Sequence, residues 1–263
     1  MKKPRRHKPL GWKMEQITSR QNKIISHFRA LGRERAYREE RREYVCDGEK
    51  LLAEALRWGA EITAVLVSRE LSLALPCRTA CYGVSQELLD YASPLKNCPG
   101  VLFSVRMKKP ASTAPKTVLV LETIQDPGNL GTIIRTANAL RMDTVVLCGN
   151  CADLYNPKTT RAAMGAIFRQ QVLPVPLCEL SETLGAWGLR LYGAALSENA
   201  SDIRDLELAN VAIAIGSEGQ GLSLELRELC DGELIIPMNE ACESLNAACA
   251  AAIVMWEIVG RRA

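Results

Sequence analysis

Three polar segments of this chain could carry chemistry, and each follows a short apolar run. The first is ETIQDPGNLGTIIRTAN (122–138), the second is GSEGQGLS (216–223) and the third is MNEACESLNAA (238–248). The apolar runs before them are typical of strands in a parallel sheet, and ligands bind beyond the carboxyl ends of such strands. We therefore read these segments as the loops that could form a site at the ligand edge of the sheet.

The second segment is rich in glycine. Gly216, Gly219 and Gly221 would let the backbone approach a ligand without a clash at Cβ. Their spacing differs from the G-x-G-x-x-G fingerprint, which argues against a nucleotide-dependent oxidoreductase. Glu218 lies among these glycines, where a cation or the amino end of the next helix could hold its carboxylate.

The first and third segments carry polar side chains close to a helix start. Asn129 and Arg135 lie six residues apart, and both would face the ligand edge if their helix began near Gly131. The alternative is that Asn129 caps this helix and that Arg135 pairs with a surface carboxylate. Ser244 has a similar alternative as a helix cap, because the alanine-rich run 247–258 follows it.

The patterns around these segments predict two α/β units. The first half reads as a helix over 17–36, followed by alternating strands and helices up to residue 106. MKKPASTAPKT (107–117) contains two prolines and has no apolar periodicity, so we interpret it as a linker. From residue 118 onward, apolar strands alternate with helices, one of them over 158–170. This alternation indicates a parallel sheet with helices on both faces.

Charge is distributed unevenly along the 263 residues. Residues 1–43 carry 14 Lys or Arg and 5 Asp or Glu, a net charge of +9, whereas the remaining 220 residues carry a net charge of −6. A basic arm over 1–14 favours a polyanionic partner such as nucleic acid. The alternative for the basic residues beyond the arm is a solvated helix face, because both signs are mixed there at helical spacing.

Other global features exclude several classes of protein. No apolar run is long enough to span a membrane, and the basic amino terminus has no apolar segment behind it, so we expect a cytoplasmic protein. The ten cysteines show no pair of spacings typical of a zinc site. We therefore expect reduced thiols and no metal.

The three segments resemble, in order and spacing, the three motifs of the SpoU family of RNA ribose 2′-O-methyltransferases, within the SPOUT superfamily. Motif one is DPGNLGTIIRTANAL (126–140), motif two is AIGSEGQGLS (214–223) and motif three is IPMNEACESLNAACAAAI (236–253). RAAMGAIF (161–168) is similar to the family's segment between motifs one and two. Many members have glycine where this chain has Glu240, so the local geometry of that loop is less firmly implied.

This resemblance implies a fold, a cofactor and partners. Residues 118–263 would form the methyltransferase domain with a deep carboxyl-terminal trefoil knot that binds S-adenosylmethionine, and 15–106 would form an RNA-binding domain of ribosomal-protein L30 type. Family members act as homodimers on structured RNA. The implied substrate is 23S ribosomal RNA rather than transfer RNA, with transfer RNA and a non-catalytic RNA-binding protein of the same fold as alternatives.

The resemblance also implies residue roles. The adenosine of the cofactor would contact the backbone at Gly216, Ile236 and Leu245. Because a guanidinium stays protonated, we expect Arg135 to stabilise the developing alkoxide rather than to accept its proton. The full set of catalytic positions carried over from the family is Arg135, Asn129, Glu218, Ser244 and Asn246.

Overall fold

The computed structural model describes residues 14–109, 113–217, 219–239 and 244–260. The chain forms two compact units, which divide between Met107 and Lys108. Met107 is buried, and its N–H donates to the carbonyl of Arg42 at 2.8 Å. Within the predicted linker, residues 110–112 lie outside the described residues, and Thr117 already begins a strand.

The first unit is a mixed five-stranded sheet with helices. Its strand order is β1-β4-β3-β5-β2, in which β1, β4 and β3 run parallel and β5 is antiparallel to both of its neighbours. The assignment of this unit to the L30 type stays a prediction. Its elements are β1 (Glu15–Ile17), α1 (Lys23–Arg33), α2 (Arg35–Arg41), β2 (Glu43–Asp47), α3 (Glu49–Arg57), β3 (Ile62–Val67), β4 (Ala80–Val84), α4 (Gln86–Ala92) and β5 (Val101–Arg106).

The predicted helix over 17–36 is wrong at both ends. Ile17 is buried in β1, where it pairs with Val84 of β4. The helix begins only after Asn22, whose side chain accepts a hydrogen bond from the N–H of Ile24 at 2.8 Å. It ends at Glu34, which has extended dihedral angles, and α2 follows directly. The apolar periodicity could not locate these boundaries, because pairing with another strand decided the first of them.

The second unit contains a seven-stranded parallel sheet. Its strand order is β10-β12-β9-β11-β6-β7-β8, and every pair of neighbours is parallel. Its elements are β6 (Thr117–Glu122), α5 (Pro127–Ala139), β7 (Thr144–Cys148), α6 (Pro157–Ala162), β8 (Gln171–Pro174), α7 (Leu177–Ala186), β9 (Arg190–Ala194), β10 (Ser201–Asp202), β11 (Val211–Ile215), α8 (Leu224–Glu228), β12 (Gly232–Ile235) and α9 (Ala247–Gly260).

Helices cover both faces of this sheet, as the sequence predicts. Every residue of the neighbouring strands β6 and β11 is buried, which requires apolar cover on both sides. Val118 and Val120 pack in one cluster with Leu180 of α7 and Leu226 of α8. Because side chains alternate along a strand, the intervening residues face α5 and α9, which pack on the other side. The trefoil knot stays a prediction.

The helix predicted over 158–170 is interrupted. Helix α6 ends at Ala162, and both Met164 (φ 47°) and Gly165 (φ 84°) have left-handed backbone before a 3₁₀ turn at Ala166–Phe168. At Gly131 on α5, an added Cβ would lie 2.5 Å from the carbonyl oxygen of Thr159 on α6. A side chain at residue 131 would therefore force the two helices apart.

None of the helices in the described residues is long and apolar enough to cross a membrane.

Candidate active site

A cavity of about 480 Å³ opens at the carboxyl ends of β9, β11 and β12. Its lining includes Gly216 after β11, Ile236 after β12, and Ser244 and Leu245 just before α9. Three of these predicted site residues come from two of the three polar segments, and Ile236 lies just before the third segment; all four share one lining. The apolar side chains in the lining, such as Leu234, make it suited to a ligand with flat apolar surface.

The loop after β11 depends on two of its three glycines. Ser217 and Gly221 form two backbone hydrogen bonds of 3.1 and 2.9 Å, which fold the loop back on itself. A Cβ at Gly216 would lie 2.0 Å from the carbonyl oxygen of Gly221, and Gly221 itself has a φ of +66°. A Cβ at Gly219 would meet nothing within 4 Å. The backbone geometry therefore requires glycine at 216 and favours it at 221, but not at 219.

Glu122 holds this loop to the neighbouring strand, a role that the sequence analysis missed. Its side chain is buried at the end of β6, where its two oxygens accept from the N–H of Ser223 at 2.7 Å and from the Ser223 hydroxyl at 2.6 Å. The Ser223 hydroxyl also accepts from the N–H of Leu226, which caps α8. The signal that could have found Glu122 is a carboxylate at the end of an otherwise apolar strand.

The structure brings Asn129 and Asn246 together. The Asn246 side-chain amide donates to Oδ1 of Asn129 at 3.2 Å. The Oδ1 of Asn246 accepts from the N–H groups of Ala248 at 2.9 Å and Cys249 at 3.3 Å, so Asn246 caps α9. Ser244 is therefore not this cap, because the free N–H groups in the first turn of α9 donate to Asn246, two residues further along the chain.

Helix α5 begins at Pro127, earlier than the start near Gly131 that the sequence analysis considered. Asp126 caps it, with Oδ1 accepting from the Asn129 N–H at 2.7 Å, and Pro127 occupies its first turn. Asn129 is therefore not the cap, and its side chain is held by Asn246 instead.

Arg135 lies on the exposed side of α5. It makes no hydrogen bond or ion pair with any residue that the structure describes, so the surface pair considered as its alternative role is not seen there. It also lies outside the linings of the two cavities at this edge. The monomer therefore does not bring Arg135 to the Asn129–Asn246 pair. Glu218, the remaining predicted residue, lies outside the described residues.

A second cavity of about 360 Å³ adjoins the first and shares Ser217, Gly219, Gln220 and Ala247 with it. The rest of its lining is Thr123–Asp126, in the loop that follows β6, and Asn129 in the first turn of α5; most of these residues are polar. Thr123 has a φ of 55°, which is rare for a β-branched residue. Such strain is found at functional sites, where the surrounding structure compensates for it.

The thiols near this edge are poor candidates for proton transfer. Burial is the largest cause that raises the pKa of Cys148 to about 12, with Cys151 and Glu122 adding to it. Burial likewise raises the pKa of Cys151. Both thiols therefore stay protonated at neutral pH. Among the described residues, no cluster of three or more His, Cys, Asp or Glu could hold a metal ion.

The lining of the first cavity fits S-adenosylmethionine. Backbone groups at Gly216, Ile236 and Leu245 can serve the edge of an adenine ring, while the apolar side chains beside them can cover its faces. Ser217, Gln220 and Ser244 place neutral polar groups in the same lining, where the charged amino-acid end of the cofactor could be solvated.

Comparison with known proteins identifies the family. Residues 116–256 match the model of the SpoU rRNA Methylase family, which is more than half of the chain. The chain is 32% identical over 249 residues to the 23S rRNA (guanosine(2553)-2′-O)-methyltransferase RlmP of Bacillus subtilis, covering 94% of this chain and 100% of that protein.

Solved structures agree with this relationship. The AdoMet-bound rRNA methyltransferase from Sinorhizobium meliloti has a TM-score of 0.83 and 26% identity, covering 95% of this chain and 98% of that one. The SpoU methyltransferase AviRb from Streptomyces viridochromogenes has a TM-score of 0.81 and 26% identity, covering 92% and 98%. The predicted family is confirmed: this chain belongs to the SpoU rRNA methylases and is an S-adenosylmethionine-dependent RNA methyltransferase.

Proposed function

We propose that this protein transfers the methyl group of S-adenosylmethionine to a ribose 2′-hydroxyl of 23S ribosomal RNA. The observation that carries the proposal is the Asn129–Asn246 hydrogen bond, which joins motif one to motif three beside the cofactor cavity. The resemblance in sequence to an enzyme named for 23S rRNA 2′-O-methylation supports this substrate over transfer RNA.

The site has to position the acceptor more than it has to activate the donor. S-adenosylmethionine supplies a methyl group on a sulfonium whose sulfur leaves as a neutral thioether. The protein's part is to hold the ribose hydroxyl in line and to stabilise the charge that develops on its oxygen. The paired amides of Asn129 and Asn246 offer donors and acceptors suited to ribose hydroxyls. The second cavity, which contains Asn129, is the place for the acceptor nucleotide.

Arg135 is the proposed stabiliser of the alkoxide and anchor of the adjacent phosphate. A guanidinium can donate two parallel hydrogen bonds to phosphate oxygens while carrying its charge. The acceptor's proton would leave to water, to that phosphate or to Glu218. Because Arg135 is exposed on α5, it can reach RNA that lies over this helix.

A homodimer is the proposed working form. Helix α9 packs against α5 and exposes an apolar face at helical spacing, formed by Cys249, Ile253 and Trp256. Trp256 is 65% exposed and Ile253 is 38% exposed. A second copy on this face would bury these side chains and stand beside the helix that carries Arg135. The catalytic site would then be completed by assembly.

The first unit is the proposed RNA-binding domain. Arg20 and Arg29 lie over the ring of Tyr91, with guanidinium carbons 4.8 and 3.9 Å from its centre. Clustered arginines and an aromatic ring are the groups with which proteins hold phosphates and unpaired bases. The basic arm over 1–14 would add a further contact to phosphate.

The proposed activity can be tested by methyl transfer. Labelled S-adenosylmethionine, the purified protein and total RNA from cells lacking it should give label in one 23S fragment, within a ribose-methylated dinucleotide that resists nuclease. The matched variant is Asn246→Asp, because it keeps the oxygen that caps α9 but loses the amide donor to Asn129. This variant should fold and lose the label. Label in transfer RNA would show that transfer RNA is the substrate instead of 23S rRNA. Cofactor binding without methyl transfer to any RNA would overturn the proposal.

Gly216→Ala should weaken cofactor binding. The new Cβ would lie 2.0 Å from the Gly221 carbonyl oxygen, so the loop must open. Overpacking of this size costs about 1–3 kcal/mol, which corresponds to roughly 10- to 100-fold in affinity. The control is Gly219→Ala, whose Cβ meets nothing within 4 Å and which should weaken binding far less. Titration calorimetry with S-adenosylmethionine measures both, and equal losses would contradict the role of Gly216.

Arg135→Lys should lose most of the turnover although the charge is kept, because lysine cannot form the planar fork. We expect kcat to fall by about 10²-fold, the usual effect of removing one positioned donor in a transition state, with cofactor affinity unchanged. The control is Arg204→Lys, an exposed arginine paired with Asp202. Near-normal kcat for Arg135→Lys would refute this assignment.

Trp256→Glu should convert a dimer to a monomer, because the change places a charge on the face to be buried. Sedimentation velocity of the variant and of the unchanged protein measures the effect. The control is Trp58→Glu, which alters another exposed tryptophan in the first unit. The homodimer proposal fails when the unchanged protein sediments as a monomer or when Trp256→Glu still sediments as a dimer.

A further inference from the structure

Arg227 stands out in the lining of the cofactor cavity. Among the described residues of that lining it carries the one charged side chain; the others are apolar, glycine or neutral polar residues. Arg227 belongs to α8, outside the three motifs that suggested the site. Its guanidinium carries more N–H groups than one partner can use, so it can also donate to a ligand group that accepts hydrogen bonds.

The guanidinium of Arg227 is fixed by a network that joins three walls of the cavity. Its Nε donates to Oε1 of Glu233 on β12 at 2.6 Å, and Oε2 of Glu233 accepts from the Ser197 hydroxyl at 2.5 Å, in the loop after β9. The hydrogen bond from Arg227, followed by that from Ser197, holds the pKa of Glu233 below its usual range. Glu233 is therefore ionised at neutral pH and orients Arg227, which keeps its two Nη groups as further donors.

Arg227 lies on the side of the cavity away from the acceptor. The second cavity is formed by the loop after β6, which is next to β11 in the sheet. Glu233 and Ser197 belong to β12 and to the loop after β9, on the other side of β11. The reacting methyl group has to face the second cavity, at the wall shared by Ser217 and Gln220. A cofactor bound in this cavity would therefore meet Arg227 at the end that is remote from the acceptor.

The surroundings of Arg227 favour the adenine ring at that end. Ala194, Ala195, Leu222 and Leu234 in the same lining offer apolar surface. Packing the carboxylate and ammonium groups of the amino-acid end against such surface is costly, whereas the faces of an adenine ring are apolar and its ring nitrogens accept hydrogen bonds. We propose that Arg227, positioned by Glu233, donates a hydrogen bond to a ring nitrogen of the adenine. This inference rests on the proposed binding of S-adenosylmethionine in this cavity.

The first test compares two ligands that share the adenine. 5′-Methylthioadenosine contains the adenosine and the sulfur of the cofactor but lacks its amino-acid end. Calorimetry should show that Arg227→Ala weakens binding of both S-adenosylmethionine and 5′-methylthioadenosine by the same factor, about tenfold. Loss of affinity for S-adenosylmethionine alone would place Arg227 at the carboxylate and overturn the proposal, as would unchanged affinity for both.

The second test separates a direct bond from a general disturbance of the cavity. In competition with labelled S-adenosylmethionine, 1-deaza-, 3-deaza- and 7-deazaadenosine each replace one ring nitrogen by C–H. One of them should bind the unchanged protein more weakly than adenosine does, and that difference should vanish in Arg227→Ala. If Arg227 only maintained the shape of the cavity, the affinity differences between adenosine and its deaza analogues would remain in Arg227→Ala. Arg204→Ala, which removes an exposed arginine outside this lining, is the control and should retain the differences.

Glu233 provides a third readout as a positioning residue. Glu233→Gln keeps an oxygen that can accept from Nε of Arg227 and should retain most of the affinity, whereas Glu233→Ala should approach Arg227→Ala. Equal effects of the two substitutions would contradict positioning by this bond. Absence of binding by the unchanged protein would instead refute the proposed function, so the two failures are distinguishable.

Discussion

The buried carboxylate of Glu122 is the interaction on which the arrangement of this site depends. It lies at the end of β6 and accepts two hydrogen bonds from Ser223, which stands at the end of the loop after β11. Burying a carboxylate without these donors would cost free energy. The two hydrogen bonds therefore fix the loop relative to the end of β6. The loop in turn brings Gly216 and Gly221 into contact, and the same Ser223 starts α8. Glu122 therefore helps to fix the loop that lines the larger cavity, and also the start of α8.

The two cavities lie beyond the ends of different strands. Residues after β9, β11 and β12 enclose the larger cavity, which is apolar and rich in backbone groups. Residues after β6 line the smaller one, which includes a threonine with left-handed backbone. In the proposed function, donor and acceptor are bound by different sets of residues and meet at the residues that the two cavities share. Asn246 joins the two sides, because one of its atoms caps α9 and the other holds Asn129.

The exposure of Arg135 and the exposed apolar face of α9 are both explained by the proposed homodimer. A residue assigned to the transition state lies exposed on α5, and the adjacent helix presents a tryptophan that is 65% exposed. Exposed apolar patches of this kind mark interaction sites. In the proposed homodimer, burial of that face and completion of the catalytic site are one event. Active-site assembly would then depend on protein concentration, as in other obligate oligomers.

The sequence by itself determined the family, the alternation of strands and helices, and the loops that line the two cavities, because apolar periodicity and residue types are local properties. It located Gly216, Ile236 and Leu245, which share one cavity lining. It misjudged the starts of the helices after Ile17 and Asp126, where strand pairing and capping decided the boundary. It passed over Glu122 and Arg227, whose surroundings consist of residues distant in the chain. Only the tertiary structure decided these contacts, since β11 lies beside β6 in the sheet and joins Glu122 to a serine 101 residues away.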